Sequence, residues 1–438
     1  MSQSNWTDAE DRARRARRLL SEQRWGEALD ELRAAVAINP FNSDWHFHIG
    51  RALDELGRHD DAIDAYSEVL NLDPEHLHAL NHMGVSLHQL GKYKDALAVF
   101  KRLEETDPEY EPSYCNRIRI YAELGDHQSA EEMFYTARLY RDQCPTCYFN
   151  MGVSLAARGL YDRAVFCWQR TIDLSGDDVH VRARIGEALA RRGLSEQARR
   201  HYVEGLRMSP DDVPTLLDLA SLLIDMGRLD EASQRLTHAE TISNASAAVC
   251  FVRGKYELAR RNAPSAALAL RTALQLDPTF GGANLLLARL SVEKNDVIAA
   301  KAYLRAELML RPASGQILLD LSNMLLDVGE IRLAVASLRR LTQSEPANVK
   351  AWQNLAIAEC ARGRYDRGIS ASLYALELDP ANIAVRHNLA LAYMQAGELE
   401  YAREELADAL ILCPRDRVLK RLQFRLRLLR LMHALWRC

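Results

Sequence analysis

Long apolar runs are missing from this chain. No stretch of about 18 apolar residues occurs, so nothing in it reads as a membrane-spanning helix. Cysteine is sparse, eight in 438 residues and scattered. That excludes a disulfide-stapled fold and fits a reducing compartment. Neither sign of charge dominates: 56 Lys and Arg stand against 60 Asp and Glu, a net charge of −4. No whole-chain field therefore asks for nucleic acid, and none is expected as a partner. The first twenty residues have no apolar stretch before their charges, unlike a secretory signal, and Asp8, Glu10 and Asp11 among the arginines argue against an acid-poor transit peptide. The expected location is cytoplasmic. Glycine-rich phosphate loops, a GxSxG elbow and HExxH are also missing, so no catalytic residue and no cofactor is expected.

Proline is scarce as well, thirteen in all, and its placement is the most informative feature of the chain. Nine of the thirteen, Pro40, Pro74, Pro108, Pro210, Pro278, Pro312, Pro346, Pro380 and Pro414, lie on one grid whose step is the interval from Pro40 to Pro74. An alanine comb keeps the same period, from Ala28, Ala62 and Ala96 to Ala334 and Ala402, with Gly368 filling its one gap. Self-similarity at this length marks a stacked array of small supersecondary units.

Each unit reads as two amphipathic helices. In residues 77–110, Leu80, Met83, Gly84 and Leu87 make one stripe at helical spacing, and Ala96, Phe100 and Leu103 make a second. Glycine recurs where the first helix ends, at Gly57, Gly91, Gly125 and onward to Gly397, a place that commonly needs a left-handed residue. Small residues at Gly50, Gly84, Gly152, Gly186 and their equivalents let two helices approach closely, and proline stops the second helix because it has no N–H to donate.

This combination of small residue, alanine and proline, complete in Gly50, Ala62, Pro74 and again in Gly84, Ala96, Pro108, resembles the tetratricopeptide repeat family. The match covers twelve contiguous units over residues 9–416, after a tail at 1–8 and before a segment at 417–438. The resemblance implies an all-α, right-handed superhelical solenoid whose first helices line a concave groove. Departures are local. Asp142, Gly176 and Asn244 stand where proline is expected, Arg261 and Asn295 replace the glycine, and Gly281-Gly282 opens the ninth unit. Units seven to nine are the expected place for a softer interface, and Ile118 in a small slot predicts looser packing in the fourth.

One register of successive first helices holds His48, His82, Asn116, Asn150 and Arg184, and later Asn354 and Asn388. The resemblance implies that this slot faces bound peptide. An asparagine amide donates and accepts at once, which suits an extended backbone. Between the polar stretches the slot turns apolar, and Phe251 beside it offers an apolar anchor. The two-carboxylate clamp of co-chaperones is absent: Cys115, Arg119 and His180 stand where Lys, Asn and Lys are needed, and Asn323 fits beside Asn354 but Leu319 does not.

Other clusters compete with the groove. Seven of thirteen histidines fall within residues 46–88, and His48, His78 and His82 share facing helix surfaces, which gives a zinc or pH-sensing alternative to an ordinary polar patch. Cys144 and Cys147 form a CxxC at a helix entrance, where a thiol pKa falls, but without the βαβ context of a redox motif. A zinc site there would need further ligands, and only Cys115 and Cys167 are near in sequence. Glu257 and Glu359 occupy slots that are leucine elsewhere, with Arg260, Arg261 and Arg362 as expected partners. Residues 417–438 carry seven basic residues, no acid and a leucine stripe; they read as a cap over the last repeat, or as an amphipathic helix for a membrane surface, helped by Trp436. The expected function is a non-catalytic scaffold holding a protein or peptide in the groove. The alternatives are a membrane-apposed adaptor and a metal or redox sensor.

Overall fold

The computed structural model describes residues 3–243, 245–310 and 315–435, with side chains between 6 and 432. Asn244, Pro312 and Trp436, singled out above, lie outside the described residues. Every regular element among them is an α-helix, twenty-five in order from Gln3–Ser21 to Arg417–Leu435. Helix begins at Gln3, inside the stretch read as a tail. Two compact units partition the chain, Met1–Asp218 and Leu219–Cys438, and the division falls within the helix Val213–Asp225 in the seventh repeat.

The period of the proline grid is exact in the helix starts. Second helices begin at Trp25, His59, Tyr93, His127, Tyr161, Ser195, Leu229, Ala263, Val297, Ile331, Tyr365 and Leu399 without a slip. First helices begin at Ser43, Leu77, Glu111, Pro145, Val179, Val213 and Ala247 in the same rhythm, and after one exception at Gly315, Val349 and Ile383. The exception is Ala283, which starts late because Gly281-Gly282 delays it. The last helix begins at Arg417, one full period after Ile383, so it keeps the beat although its residues leave the combs.

A size exchange between paired helices explains the small slots. Each glycine in such a slot faces a large side chain on the second helix of its own repeat. A Cβ on Gly84 would sit 2.6 Å from the Phe100 ring, on Gly186 2.9 Å from Tyr202, and on Gly254 2.6 Å from Leu270. Phe100, Leu103 and Leu80 are fully buried beside these contacts, where close packing leaves no room for an added methyl. In the fourth repeat Ile118 fills the small slot and is itself fully buried. Its partner Phe134 then lies edge-on to Tyr148 of the next first helix, ring centroids 5.1 Å apart.

Turns and caps supply the backbone chemistry. Arg261 and Asn295 take the left-handed conformation of the glycines they replace, at φ +60° and +58°, and Gln23 does the same at +59°. Several first helices are capped by the last residue of the preceding unit: Asn42 accepts from the Trp45 amide, His76 from Ala79, Asp178 from Val181 and Asn348 from Ala351. The ninth repeat has Gly282 in that place and no side chain to cap with. Glu307, fully buried on the following helix, reaches back instead and accepts from the Gly282 amide at 2.6 Å.

In the second unit the helix Arg417–Leu435 buries Leu419, Leu422 and Leu426 against Ala402, Leu406 and Ala409. Phe424, Leu428, Leu431 and Met432 of the same helix remain exposed. The buried Glu359 pairs with Arg339, not Arg362 as its sequence neighbourhood implied, and Glu257 accepts from Asn262 Nδ2 at 3.0 Å. Both acids therefore sit in hydrogen-bonded pairs, Glu359 with a partner on the preceding helix and Glu257 with the residue next to the expected Arg261.

Candidate functional site

The first unit carries the register His48, His82, Asn116, Asn150 and Arg184 on five consecutive first helices. Its members have different surroundings. His48 and His82 are half-buried, and burial pushes both imidazoles below their ordinary range, with Arg51 adding to the effect. Aromatic rings enclose them: Phe47 lies 5.5 Å edge-on from His82, and Tyr66 lies 5.8 Å from it. Asn116 donates its amide to Asn81 Oδ1 at 3.2 Å, across to the preceding first helix. Arg184 is exposed, 3.5 Å from Glu187 on its own helix.

Asn150 differs from the others. It is buried, and its amide donates to the Cys115 carbonyl at 2.8 Å. It ties two first helices together, so its donor is already engaged inside the protein.

In the second unit Asn354 donates to Asn323 Oδ1 at 2.6 Å, repeating the amide-to-amide link seen at Asn81 and Asn116. Asn388 is half-buried and lies 3.3 Å from His387 Nδ1. Phe251 is half-buried and packs on Phe280 with ring centroids 5.2 Å apart.

The histidines do not converge on a metal position. Phe47 stands among them, 5.9 Å from His48 and 6.4 Å from His78 by ring centroids, and His78 Nδ1 lies 3.3 Å from the Tyr110 hydroxyl. Among the described residues, the group whose donor atoms converge closely enough for one ion is Cys115, Cys144 and Cys147. All three are buried. Cys115 Sγ lies 3.2 Å from Cys144 Sγ and 3.0 Å from Cys147 Sγ. Cys144 occupies the cap position of the helix Pro145–Ala157, and its sulfur accepts from the Cys147 amide at 3.2 Å. Hydrogen bonds from the other two thiols hold the Cys144 thiol well below its usual range, while the same bonds push Cys115 and Cys147 up. Burial, and then the neighbouring Cys144, raise the Glu111 carboxyl, which pairs with Arg141 at 2.8 Å. Cys167 stands outside this group, and burial pushes its thiol up to about 11.

Two tetratricopeptide repeat models match, one over residues 13–76, 50–111 and 319–383, the other over residues 189–242. The chain belongs to the tetratricopeptide repeat family. No curated protein matches it. Solved structures that resemble it include the APC/C hetero-tetramer Cut9–Hcn1, at 14% identity over 94% of this chain and 95% of that one, with a TM-score of 0.45. Yeast Tom70 resembles it at 14% identity over 97% and 96%, with a TM-score of 0.41. A tetratricopeptide repeat protein from Parabacteroides merdae does so at 18% identity over 65% of this chain and 99% of that one, also at 0.41.

Glu307 was not legible in the sequence, whereas of the two cysteines near the CxxC in sequence the fold brings Cys115 to it and not Cys167. Glu307 carried no motif, because its role is to replace a missing cap on another helix. The proximity of Cys115 to the CxxC was available in principle. Successive first helices of such an array pack side by side. Cys115 precedes Cys147 by nearly one period, so it falls on the neighbouring helix at nearly the same height. No helix among the described residues is long and apolar enough to cross a membrane.

Proposed function

We propose that the chain is a non-catalytic interaction scaffold that holds an extended protein or peptide segment along the first helices. The observation that carries this reading is the single register shared by His48, His82, Asn116 and Arg184 on four first helices of the first unit, with Asn150 on the one between the last two. Their polar groups recur at intervals set by helix packing, which suits a ligand whose own backbone groups recur. Arg184 supplies an exposed cation for an acidic group of the ligand. Asn150 contributes by holding its helix to the preceding one. In the second unit Asn323, Asn354 and Asn388 repeat the polar pattern, and Phe251 supplies an apolar neighbour for an anchor side chain.

The test is affinity capture with the full chain as bait, comparing wild type with an Asn116→Ala, Arg184→Ala variant of equal helicity. A protein retained by wild type and released by the variant supports the reading. Equal retention by both refutes the use of this register in the first unit.

A further inference from the structure

The three buried thiols are not used by the scaffold reading and are not explained by packing alone. Two cysteines in a tight junction would account for Cys144 and Cys147. They do not account for a third sulfur, carried by the separate helix Glu111–Glu123, placed 3.0 and 3.2 Å from them. Buried polar hydrogens are normally satisfied by good acceptors, and here sulfur faces sulfur. A disulfide would consume two of the three and leave the odd one buried against it. A soft cation uses all three.

We propose that Cys115, Cys144 and Cys147 bind a zinc ion as thiolates, with the Glu111 carboxylate, which lies outside the converged trio, rotating in as fourth donor. Zinc prefers four donors in a tetrahedron, with sulfur at about 2.3 Å, which places the sulfurs about 3.8 Å apart. The observed separations of 3.0 and 3.2 Å require each sulfur to move outward by a fraction of an ångström, within reach of small side-chain rotations.

The backbone is arranged for negative charge at this point. Cys144 caps a helix whose first-turn amides point at it, and the Cys147 amide donates to its sulfur. Glu111 stands in the first turn of the helix Glu111–Glu123, which also carries Cys115. Three thiolates, one carboxylate and zinc carry the same formal charge as a four-cysteine site, and Arg141, 2.8 Å from Glu111, offsets part of it.

The surroundings supply the outer layer such sites require. Asn150 Nδ2 donates to the Cys115 carbonyl, fixing the turn that carries one ligand relative to the helix that carries the other two. Glu111 and Arg141 are the partly exposed side of the site, and give an ion its way in. The ion would bind to each other the two successive first helices that carry Asn116 and Asn150. Its ligands are not members of the proposed ligand register, although Asn150 of that register bonds to the Cys115 carbonyl. Its test is independent of partner capture.

The experiment is metal analysis of the full chain, purified under reducing conditions and dialysed against metal-free buffer after zinc loading. The expected result is about one zinc per chain. Cys144→Ser with Cys147→Ser, and separately Cys115→Ser, should bring retained zinc below about a tenth of that, since thiolate ligands are what hold structural zinc. Cys167→Ser should leave it unchanged. Cobalt substitution gives a second readout that does not depend on stability. The wild type should show thiolate-to-cobalt charge transfer and intense tetrahedral bands, and Glu111→Gln should shift the tetrahedral bands while cobalt stays bound. Circular dichroism of each apo variant separates lost ligands from lost folding. Zinc absent from wild type, zinc retained by the cysteine variants, uptake of copper(I) but not zinc, or a Cys144–Cys147 disulfide formed in place of metal each overturns the proposal. Cobalt bands unchanged by Glu111→Gln overturn the fourth donor.

Discussion

Replacing Gly84 by alanine isolates the packing that defines the repeat. At an exposed site in a helix interior, Gly→Ala stabilises by about 1 kcal/mol through backbone entropy and propensity. At Gly84 the added Cβ would meet Phe100 Cζ at 2.6 Å and the two Cε atoms at 2.8 and 2.9 Å. The ring is fully buried and has nowhere to go, so overpacking of about 1–3 kcal/mol opposes the gain. The expected net effect is a loss of up to about 2 kcal/mol. Gly26 provides the control: it lies in the helix Trp25–Ile38, its Cβ would meet nothing within 4 Å, and Gly26→Ala should be neutral or stabilising. Phe100→Leu closes the argument by removing the three ring atoms in question. In that background Gly84→Ala should cost less than in wild type or turn favourable, a coupling of about 0.5–3 kcal/mol. Repeat arrays unfold piecewise, so the assay is amide hydrogen exchange over the helices Leu77–Gln89 and Tyr93–Thr106, supported by urea midpoints. A Gly84→Ala protein more protected than wild type, or equal costs in both backgrounds, would refute the size-exchange account.

Two further perturbations test other links. Arg261→Gly relieves a left-handed residue at φ +60°, where an L side chain costs about 1–2 kcal/mol. Less the entropy of an added glycine, it should stabilise the helix pair Ala247–Ala259 and Ala263–Leu276 by up to about 1 kcal/mol, read as slower exchange of those amides; faster exchange would refute it. His82 has its folded pKa lowered by burial first, with Arg51 and His78 opposing its protonation and Asp54 and Glu55 favouring it. The unfolded chain therefore takes up the proton first as pH falls below about 6.5. The wild-type urea midpoint should fall between pH 7.5 and the lowered folded pKa, and His82→Gln should flatten part of that fall; an identical pH profile in both proteins would refute it.

The repeat was legible because its signals are local. Proline, glycine and alanine each act through their own backbone or their own size, so a comb of them transfers directly into helix starts at Ser43, Leu77 and Glu111. Even the delayed start at Ala283 follows from Gly281-Gly282. What was not legible depends on a partner elsewhere in the chain. Gly84 announces a close approach but not that Phe100 fills it. Asn150 occupies the same register as Asn116, yet one is buried and bonded to the Cys115 carbonyl while the other is half-buried and bonded to a side chain. Equal register therefore does not mean equal exposure. Glu359 found Arg339 on the preceding helix, although Arg362 was closer in sequence.

The cysteines show the same limit from the other side. Read along the chain, Cys144 and Cys147 are a CxxC lacking a second pair, and Cys115 is one of two nearby cysteines, with Cys167, that nothing in the order of residues prefers. The stacking of repeats turns that distance into adjacency, because a step of one repeat along the sequence is a step from one first helix to the next. A ligand set in a repeat protein should thus be sought at separations near the period as well as within a few residues. Cys115 and Cys147 are nearly one period apart, with their sulfurs 3.0 Å from each other. His48 and His82 are separated by one full period, yet Phe47 stands beside both and their rings turn to aromatic neighbours. Period alone brings candidates to the same height. What decides between a cluster and a coincidence is whether the side chains point at one another, and here the thiols do.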